Sequence, residues 1–268
     1  MSPNSSLGSG IWLVGAGNMG GAMLRGWLAS GIAPERITVI NRTRRDLPDG
    51  VVQMSKPPEG WPDTLVLAVK PQQLDAMRTM FAGRDGGPRL LMSILAGVEI
   101  ETLRGVIPAS HVVRAMPNLP VAIGKGVTLL CSESAEGRGD AETLAAPLGL
   151  TEWIASEALF DAAGVLSGCG PAFLFRFIDA LAIAGERIGL PLDQAQRLAL
   201  ATVEGSALMI AGSEESAAML ADRVASPGGS TREGLNILDR DDALVELLAA
   251  TLAASVARSR AMAEEARG

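Results

Sequence analysis

A glycine-rich turn near the amino terminus has the residue spacing of a phosphate-binding site. Gly15, Gly17 and Gly20 form the pattern G-x-G-x-x-G, after a buried apolar run and before a helix-compatible stretch that stops at Gly31. Glycine at these positions permits a sharp turn, close approach of a pyrophosphate, and tight packing of helix on strand. The helix amino terminus then offers unpaired N–H groups to an anion. The pattern predicts dinucleotide binding, and the alternative is a purely structural turn.

Asn41 and three arginines follow the second predicted strand. In a dinucleotide-binding fold this strand end meets the adenosine ribose, where an acid would bind the two hydroxyls of NAD. Arg42, Arg44 and Arg45 would instead fork onto a phosphate, which an acid would repel. The sequence therefore favours NADPH over NADH, by about thirty-fold if one such contact contributes roughly 2 kcal/mol. The alternative is a solvated arginine loop.

A second glycine-rich turn, Ser-Pro-Gly-Gly-Ser-Thr at 226–231, precedes a predicted helix in the second half of the chain. Ser230 and Glu233 fit a capping box, which places the helix amino terminus directly after the two glycines. Several N–H groups and the positive helix end would converge on one point, where a small carboxylate would bind. The alternative is a well-capped helix that binds nothing.

Three other reactive side chains have weaker cases. Lys70 ends a predicted strand and points either into a ligand crevice or to solvent. His111 is the sole histidine, starts a strand without a neighbouring acid or nucleophile, and is interpreted as structural. Cys131 lies among apolar strand residues and is predicted to be in the core. One histidine and two cysteines supply neither a zinc ligand set nor a disulfide framework, so no metal is expected.

Composition excludes several classes of partner. The chain has 268 residues, of which 48% are hydrophobic, enough for a large core and two domains. The net charge of −7 argues against nucleic acid or an anionic membrane surface. Charged residues or glycine interrupt each hydrophobic run before the roughly 18 residues of a membrane span, so a soluble protein is expected. The first residues lack the features of a signal peptide, which makes the cytoplasm the default location.

Strand and helix signals alternate through the first half of the chain. Strands are predicted at 11–14, 36–41, 64–69, 90–95, 111–115, 126–131 and 152–155, helices at 19–30 and 141–148, and a loop or irregular strand at 51–62. The continuous apolar runs are typical of parallel strands covered on both faces. The predicted fold class is α/β, with a Rossmann-like doubly wound sheet at 11–157 after a disordered leader at 1–10.

The remaining chain, 158–268, is predicted to be an all-α domain. Ser167 to Pro171 is interpreted as a tight turn, with Pro171 as the first residue of a helix. That helix carries an apolar stripe of Leu174, Phe177, Ile178 and Leu181. Further helices are predicted at 193–212, opened by a capping box of Asp193 and Gln196, at 214–224 and from 242. Such stripes are often buried between chains, so this domain is predicted to form a homodimer.

Six segments together resemble the Δ1-pyrroline-5-carboxylate reductase family, in the family's order and along nearly the whole chain. They are Gly-Ala-Gly-Asn-Met-Gly at 15–20, Ala-Val-Lys-Pro-Gln at 68–72, 93–97, Arg-Ala-Met-Pro-Asn-Leu-Pro at 114–120, Ser-Gly-Cys-Gly-Pro-Ala-Phe at 167–173, and 224–231. The resemblance implies hydride transfer from NAD(P)H to the C=N carbon of a cyclic imine, giving L-proline in the last step of proline biosynthesis. It also implies a dimer with interlocked helical domains that can assemble into rings.

The resemblance assigns residues to each part of the ligands. The cofactor residues are Gly15, Ala16, Gly17, Asn18, Met19 and Gly20 at the pyrophosphate, Asn41, Arg42 and Thr43 at the adenosine, and Ala68, Val69, Lys70, Pro71, Met116, Pro117 and Asn118 at the nicotinamide half. The substrate residues are Ser226, Gly228, Gly229, Ser230 and Thr231. Because a protonated imine is already electrophilic, catalysis is expected to be mostly positioning, with the Thr231 hydroxyl bonding the nitrogen.

Departures from the family and competing families define the alternatives. Cys169 stands where the family has serine, Phe173 where tyrosine is common, and the segment 51–63 is short and Pro-rich, so its adenine contacts are open. A β-hydroxyacid dehydrogenase would need a lysine on the helix at 171–190, and that stretch contains none. A non-catalytic NADPH-binding scaffold is the alternative from a different class.

Overall fold

The computed structural model describes residues 10–267, with side chains to residue 261. All but the last residue of the predicted leader therefore lies outside the described residues. The described chain divides into two compact units, residues 10–169 with 256–267 and residues 170–255.

An eight-stranded mixed sheet forms the first unit. Its strands are β1 (Ile11–Val14), β2 (Ile37–Ile40), β3 (Val52–Met54), β4 (Thr64–Leu67), β5 (Leu90–Ser93), β6 (His111–Pro117), β7 (Gly126–Cys131) and β8 (Gly149–Trp153). The order is β3-β2-β1-β4-β5-β6-β7-β8. Strands β1 to β6 run parallel, β7 is antiparallel to β6, and β8 is parallel to β7. The winding reverses between β1 and β4, and open α/β sheets bind ligands at the carboxyl ends of the strands there.

Ten α-helices complete the described chain. The first unit contains α1 (Asn18–Ala29), α2 (Leu74–Phe81), α3 (Ile100–Val106), α4 (Arg138–Ala145) and α5 (Glu157–Gly164). The later helices are α6 (Gly170–Arg187), α7 (Leu192–Ala211), α8 (Ala217–Val224), α9 (Ser230–Leu238) and α10 (Ala243–Arg267).

Both faces of the sheet are covered, as the continuous apolar strands predict. All four residues of β1, β4 and β5 are buried. Helices α1 and α4 pack on one face and α2 and α3 on the other, each with its own hydrophobic cluster. Trp27 of α1 is fully buried and its Nε1 donates to the Leu144 carbonyl of α4 at 2.7 Å. This bond satisfies the indole N–H inside the core and ties two helices together.

The predicted strands and helices of the first unit are confirmed, with shifts at their ends. The segment at 51–62 contains the short edge strand β3, in which Val52 is 47% exposed. Strand β8 begins at Gly149, three residues before its predicted start, because Gly149 at φ +130° lets the chain pass against Gly126. A Cβ at Gly149 would lie 2.1 Å from the Gly126 carbonyl oxygen.

The second unit is all helical, and its buried centre is made of small residues. Ala182 of α6 packs with Ala195 and Ala199 of α7, and Ile178 lies partly buried beside them. Other stripe residues are exposed, with Leu174 at 45% and Phe177 at 49%. The predicted stripe therefore exists, but within one chain only part of it is covered.

The predicted tight turn at 167–171 is wrong, because these residues are helical. Val165–Cys169 forms a π-helical turn that joins α5 directly to α6, which begins at Gly170. Pro171 removes one helix N–H, and a widened π turn accommodates the altered bonding without ending the helix. Gly168 and Gly170 beside Pro171 predict a break between helices, whereas in the structure they lie at a π-bulge within a continuous helix.

Both predicted capping boxes are also wrong. Helix α7 has Pro191 at its N-cap, and Asp193 lies inside the first turn, where it accepts from Arg197 Nη1 at 2.9 Å. Helix α9 has Gly229 at its N-cap without a side-chain bond, and Ser230 is its first helical residue. Helix α7 begins two residues earlier than an Asp193 cap requires, and α9 begins one residue earlier than a Ser230 cap requires.

One helical run among the described residues, Glu157–Arg187, is long and apolar enough to cross a membrane by length and composition alone. Asp161, Arg176 and Asp179 interrupt this run, as the sequence predicts for each hydrophobic stretch. Glu157 and Asp161 at its amino-terminal end form ion pairs with Arg114 of the sheet.

Candidate functional site

A crevice of about 740 Å³ follows the carboxyl ends of five neighbouring strands in the first unit. Its wall includes Asn41 after β2, Gly15 after β1, Lys70 after β4, Ala96 after β5, and Pro117 at the end of β6. Adjacent strands lie about 4.8 Å apart, so the crevice spans on the order of 19 Å. Its place at the switch point is that of a dinucleotide site.

Most of the predicted cofactor residues lie together in this wall. It contains Gly15, Gly17, Asn18, Met19, Asn41, Arg42, Thr43, Ala68, Val69, Lys70, Pro71, Met116 and Pro117. Ala16, Gly20 and Asn118 are not part of it. Arg45, one of the predicted phosphate-binding arginines, also lines it, and sequence reasoning missed the further lining residues Gln73, Met77, Met80, Ile94 and Ala96. Met77 and Met80 are three residues apart on α2, a helical spacing that could have signalled a shared face.

The glycine turn has the form that a pyrophosphate site requires. Gly15 has φ +96°, and a Cβ there would lie 2.6 Å from the Ala68 carbonyl oxygen. A Cβ on Gly20 would lie 2.2 Å from the Gly15 carbonyl oxygen, whereas none of the described atoms lies within 4 Å of a Cβ built on Gly17. Helix α1 starts at Asn18 with neither a side-chain cap nor an acid in its first turn. Its positive end is therefore open to an anion.

The crevice is lined by positive charge, most of it after β2. Arg42 and Arg45 lie there, Lys70 lies after β4, and none of the described residues that line the crevice is acidic. Arg42 also borders two neighbouring clefts of about 950 Å³ and 810 Å³. In a chain of net charge −7, this local excess of positive charge suits a polyanionic ligand.

Gln53 of β3, which sequence reasoning did not single out, fixes the arginine loop. Its Nε2 donates to the Thr43 carbonyl at 3.0 Å, and its Oε1 accepts from the Arg45 backbone N–H at 3.0 Å. The Asn41 amide also donates to the Thr43 carbonyl. Asn41 and Thr43 are thereby engaged in shaping the loop, which leaves the arginine side chains exposed for a ligand.

The Pro-rich segment after β3 is a wall of the third cleft. Arg84 Nη1 donates to the carbonyls of Pro58 at 2.7 Å and Gly60 at 2.8 Å, and its Nη2 donates to Pro57 at 3.1 Å. The guanidinium also lies 5.7 Å from the Trp61 ring centroid. One arginine therefore holds the short segment whose length departs from the resembled family.

A buried charge cluster supports the other end of the crevice. Arg114 of β6 is 3% exposed, its Nη1 donates to Glu157 Oε1 at 2.7 Å, and its Nη2 lies 3.5 Å from Asp161 Oδ1. The guanidinium lies 4.5 Å from the Phe160 ring centroid, and Glu157 Oε1 also accepts from the Ile100 N–H at 3.1 Å. A buried charge requires such partners. An arginine inside an apolar strand was the available sequence signal, but it did not name the acids.

The second glycine-rich turn lies in the second unit. Gly228 has φ +71°, the Gly229 N–H donates to the Ser226 carbonyl at 2.9 Å, and α9 then starts at Ser230. Thr231 is exposed in the first turn. The predicted helix amino terminus after two glycines is confirmed. The substrate-binding role of Ser226, Gly228, Gly229, Ser230 and Thr231 stays a prediction.

The two other reactive side chains have structural surroundings. Cys131 is 2% exposed, which confirms its core position. Burial raises the pKa of the Cys131 thiol, and the Glu157 carboxylate adds to this rise, so the thiol stays protonated near neutral pH. His111 Nδ1 lies 3.9 Å from Glu136 Oε2 at the start of β6.

Comparison with known proteins places this site in a family. Residues 157–262 match the family model for pyrroline-5-carboxylate reductase dimerisation, and residues 10–97 match the model for NADP oxidoreductase, coenzyme F420-dependent. A pyrroline-5-carboxylate reductase from Synechocystis is 36% identical over 86% of this chain and 90% of its own length. One from Arabidopsis thaliana is 32% identical over 95% of each. The chain belongs to the pyrroline-5-carboxylate reductase family.

Solved structures of the family agree over most of the chain. A pyrroline-5-carboxylate reductase from Coxiella burnetii superposes with a TM-score of 0.81 at 30% identity, over 94% of this chain and 97% of that one. The Plasmodium falciparum pyrroline carboxylate reductase, solved with NADP bound, gives a TM-score of 0.77 at 27% identity, over 96% and 99%. The predicted family and the Rossmann-like α/β fold with a helical dimerisation domain are confirmed.

Family membership also defines the chemistry in outline. The chain is an NADP-dependent oxidoreductase that acts on a small C=N substrate, as the sequence predicts. Its dimerisation domain indicates a homodimer. The start of that domain at residue 157 lies next to the predicted boundary at 157–158.

Proposed function

We propose that this chain reduces Δ1-pyrroline-5-carboxylate to L-proline with NADPH held along the five-strand crevice. The observation that carries the proposal is the crevice itself, in which a glycine turn, an open helix end and a cationic loop follow one another along adjacent strand ends. Bound NADPH would supply the hydride that converts the C=N carbon of the substrate into the C–H of proline. The protein's part is to bind, orient and exclude water.

Each part of the crevice has a proposed task. The 15–20 turn and the α1 amino terminus hold the pyrophosphate, and Arg42 with Arg45 holds the adenosine phosphate. Ala68 to Pro71, with Met116 and Pro117, form the nicotinamide wall. Helix α2 contributes Met77 and Met80 as apolar cover.

The α9 turn is the proposed substrate site. The N–H groups at the start of α9 and the positive helix end would bind the substrate carboxylate, and the hydroxyl oxygen of Thr231 would accept from the N–H of the protonated ring nitrogen. Arg232 beside it bonds Asp222 Oδ1 at 2.6 Å, which braces α9 against α8. This task asks for no general acid, because the protonated imine already carries its proton.

The assembly and location are also proposals. Exposed apolar side chains on α6 and α10, such as Phe177 and Leu247, would be covered by the dimer partner. Rings of dimers and a cytoplasmic location complete the proposed description.

Initial rates test the activity directly. Purified protein is supplied with Δ1-pyrroline-5-carboxylate and either NADPH or NADH, and a 3-hydroxy acid with NADP serves as control. We expect rapid imine-dependent oxidation that favours NADPH. Turnover of the hydroxy acid without the imine would indicate a β-hydroxyacid dehydrogenase, and silence with both would indicate a binding scaffold.

A further inference from the structure

Asn118 follows directly on the crevice wall, yet its side chain is turned to the protein. It is 7% exposed, its Oδ1 accepts from the Val127 N–H at 2.8 Å, and its Nδ2 donates to the Ser167 carbonyl at 2.9 Å. A donor on one side and an acceptor on the other fix which way the amide points. Both ends of the amide are engaged, and neither is in the wall of the crevice.

The sequence explains why the carbonyl of Ser167 accepts a hydrogen bond from outside its own helix. In an α-helix the carbonyl of residue 167 accepts from the N–H of residue 171. Residue 171 is proline, which has no N–H. Ser167 lies in the π turn Val165–Cys169, Pro171 offers its carbonyl no N–H, and the Asn118 amide does donate to it.

Strand β6 and the helix that starts with α5 therefore meet at three successive points. Arg114 pairs with Glu157 and Asp161, and Asn118 bonds Ser167. Between them, a Cβ built on Gly164 would lie 3.8 Å from Met116 Cγ, an ordinary van der Waals contact, so the helix packs directly against the strand there. Residues 114, 116 and 118 alternate along the chain and thus share one face of the strand.

We propose that Asn118 and Pro171 form a positioning pair that fixes Met116 and Pro117 at the nicotinamide end of the crevice. The Asn118 side chain bonds the end of β6 to the π turn, and Pro171, which has no N–H, leaves the Ser167 carbonyl free to accept this bond. The two motifs, at 114–120 and 167–173, then position the strand end together. The assignment rests on the proposed function, because it takes the Met116 end of the crevice as the nicotinamide site. It assigns Asn118 a positioning role in place of direct cofactor binding.

Asn118→Asp is the sharpest single change. It keeps the size of the side chain and the acceptor for Val127, but sets a carboxylate oxygen against the Ser167 carbonyl. We expect kcat to fall about tenfold, the scale of one lost hydrogen bond, and the deuterium isotope effect with 4-deuterated NADPH to rise. The dissociation constant of 2′,5′-ADP, which occupies only the adenosine end, should change less than about twofold.

A double-mutant cycle tests the pair. Asn118→Ala loses both side-chain bonds, and Pro171→Ala returns an N–H that can reach the Ser167 carbonyl. The Val127 bond is lost in both backgrounds and cancels in the comparison. We expect Asn118→Ala to cost about tenfold in kcat in the native background and less than about threefold beside Pro171→Ala.

Two results would overturn the pairing. The first is an equal loss from Asn118→Ala in both backgrounds. The second is an Asn118→Asp protein that binds NADP⁺ weakly but keeps its kcat, since this would make Asn118 a direct cofactor ligand. If the native protein reduces no imine, the proposed function fails; the same cycle read from thermal unfolding midpoints still reports whether Asn118 and Pro171 are coupled.

Discussion

The two units of this chain bury different kinds of side chain. The first unit covers both faces of a sheet with large apolar residues, such as Trp27 and Leu65 at 0% exposure. The second unit has a buried cluster of three alanines and leaves leucine, isoleucine and phenylalanine side chains open. A unit with its own core can build a binding crevice within one chain. A unit without one must complete its core with another chain.

The largest expected effect comes from breaking the first unit at its glycine turn. Gly15→Ala sets a Cβ about where the Ala68 carbonyl stands and forces alanine to φ +96°. We expect a loss of unfolding free energy on the order of 3 kcal/mol or more, measured by urea denaturation, and no detectable NADP⁺ binding by calorimetry.

Gly17→Ala is the matched control for that variant. None of the described atoms lies within 4 Å of its new Cβ, so stability should stay within about 1 kcal/mol. The methyl group would nevertheless occupy the space of the pyrophosphate and weaken NADP⁺ binding at least about tenfold. Normal NADP⁺ affinity in this variant would remove the turn from the binding site.

The next largest effect is expected from a charge on the exposed apolar face of the second unit. Phe177→Asp puts a charge where a large side chain, 49% exposed in one chain, is expected to meet the partner. Burying such a side chain contributes about 2 kcal/mol, and a symmetric dimer loses it twice. We expect the dimer dissociation constant to rise at least about a hundredfold, measured by sedimentation equilibrium.

Arg176 on the same helix provides the control for dimerisation. Its side chain is 83% exposed, and its ion-pair partner among the described side chains is Asp179, one turn along the helix, at 3.2 Å. Arg176→Ala should remain dimeric, because such a surface pair contributes little. A native protein that is monomeric at micromolar concentration would contradict the inference about the second unit.

The sequence was a good guide wherever the signal is local. Strand β1, the turn at Gly15 and helix α1 are neighbours in the chain, and each carries its own pattern of burial or glycine spacing. The same holds for the helix amino terminus after Gly229. These elements could be placed because the physics that forms them acts over a few residues.

The errors and omissions have a different origin. Arg114 bonds Glu157, which is 43 residues away in the sequence, and Asn118 bonds Ser167, which is 49 residues away. No local sequence pattern predicts these partners. Pro171 is predicted as a helix start because proline is common at the first helical position, but the helix continues through it, next to the bond from the distant Asn118 amide to Ser167. The predicted caps were wrong by two residues at Asp193 and by one at Ser230, within the one or two residues by which helix ends commonly shift.

The preference for NADPH over NADH tests the role of Arg42 in the first unit. Arg42→Ala should raise KM for NADPH about thirty-fold, since one charge-assisted contact contributes about 2 kcal/mol. KM for NADH, which lacks the phosphate, should change less than about threefold. The Arg176→Ala protein removes the same unit charge elsewhere and should change neither. Equal loss with both cofactors would show that Arg42 shapes the adenosine loop rather than reading the phosphate.

The smallest expected effect tests the second unit at Thr231. Thr231→Ala removes one hydroxyl at an exposed position in the first turn of α9, so folding and NADP⁺ affinity should be unchanged. We expect kcat/KM for the imine to fall about tenfold, the scale of one hydrogen bond to the ring nitrogen. Thr231→Ser keeps the hydroxyl and should retain at least about half of the native value. A native kcat/KM for Thr231→Ala would show that Thr231 is not in the substrate site. An equal loss of kcat/KM in Thr231→Ser and Thr231→Ala would show that the substrate contacts the methyl group of Thr231 and not its hydroxyl. Either result would still leave the α9 amino terminus as the carboxylate site, because its N–H groups belong to the backbone and survive both substitutions.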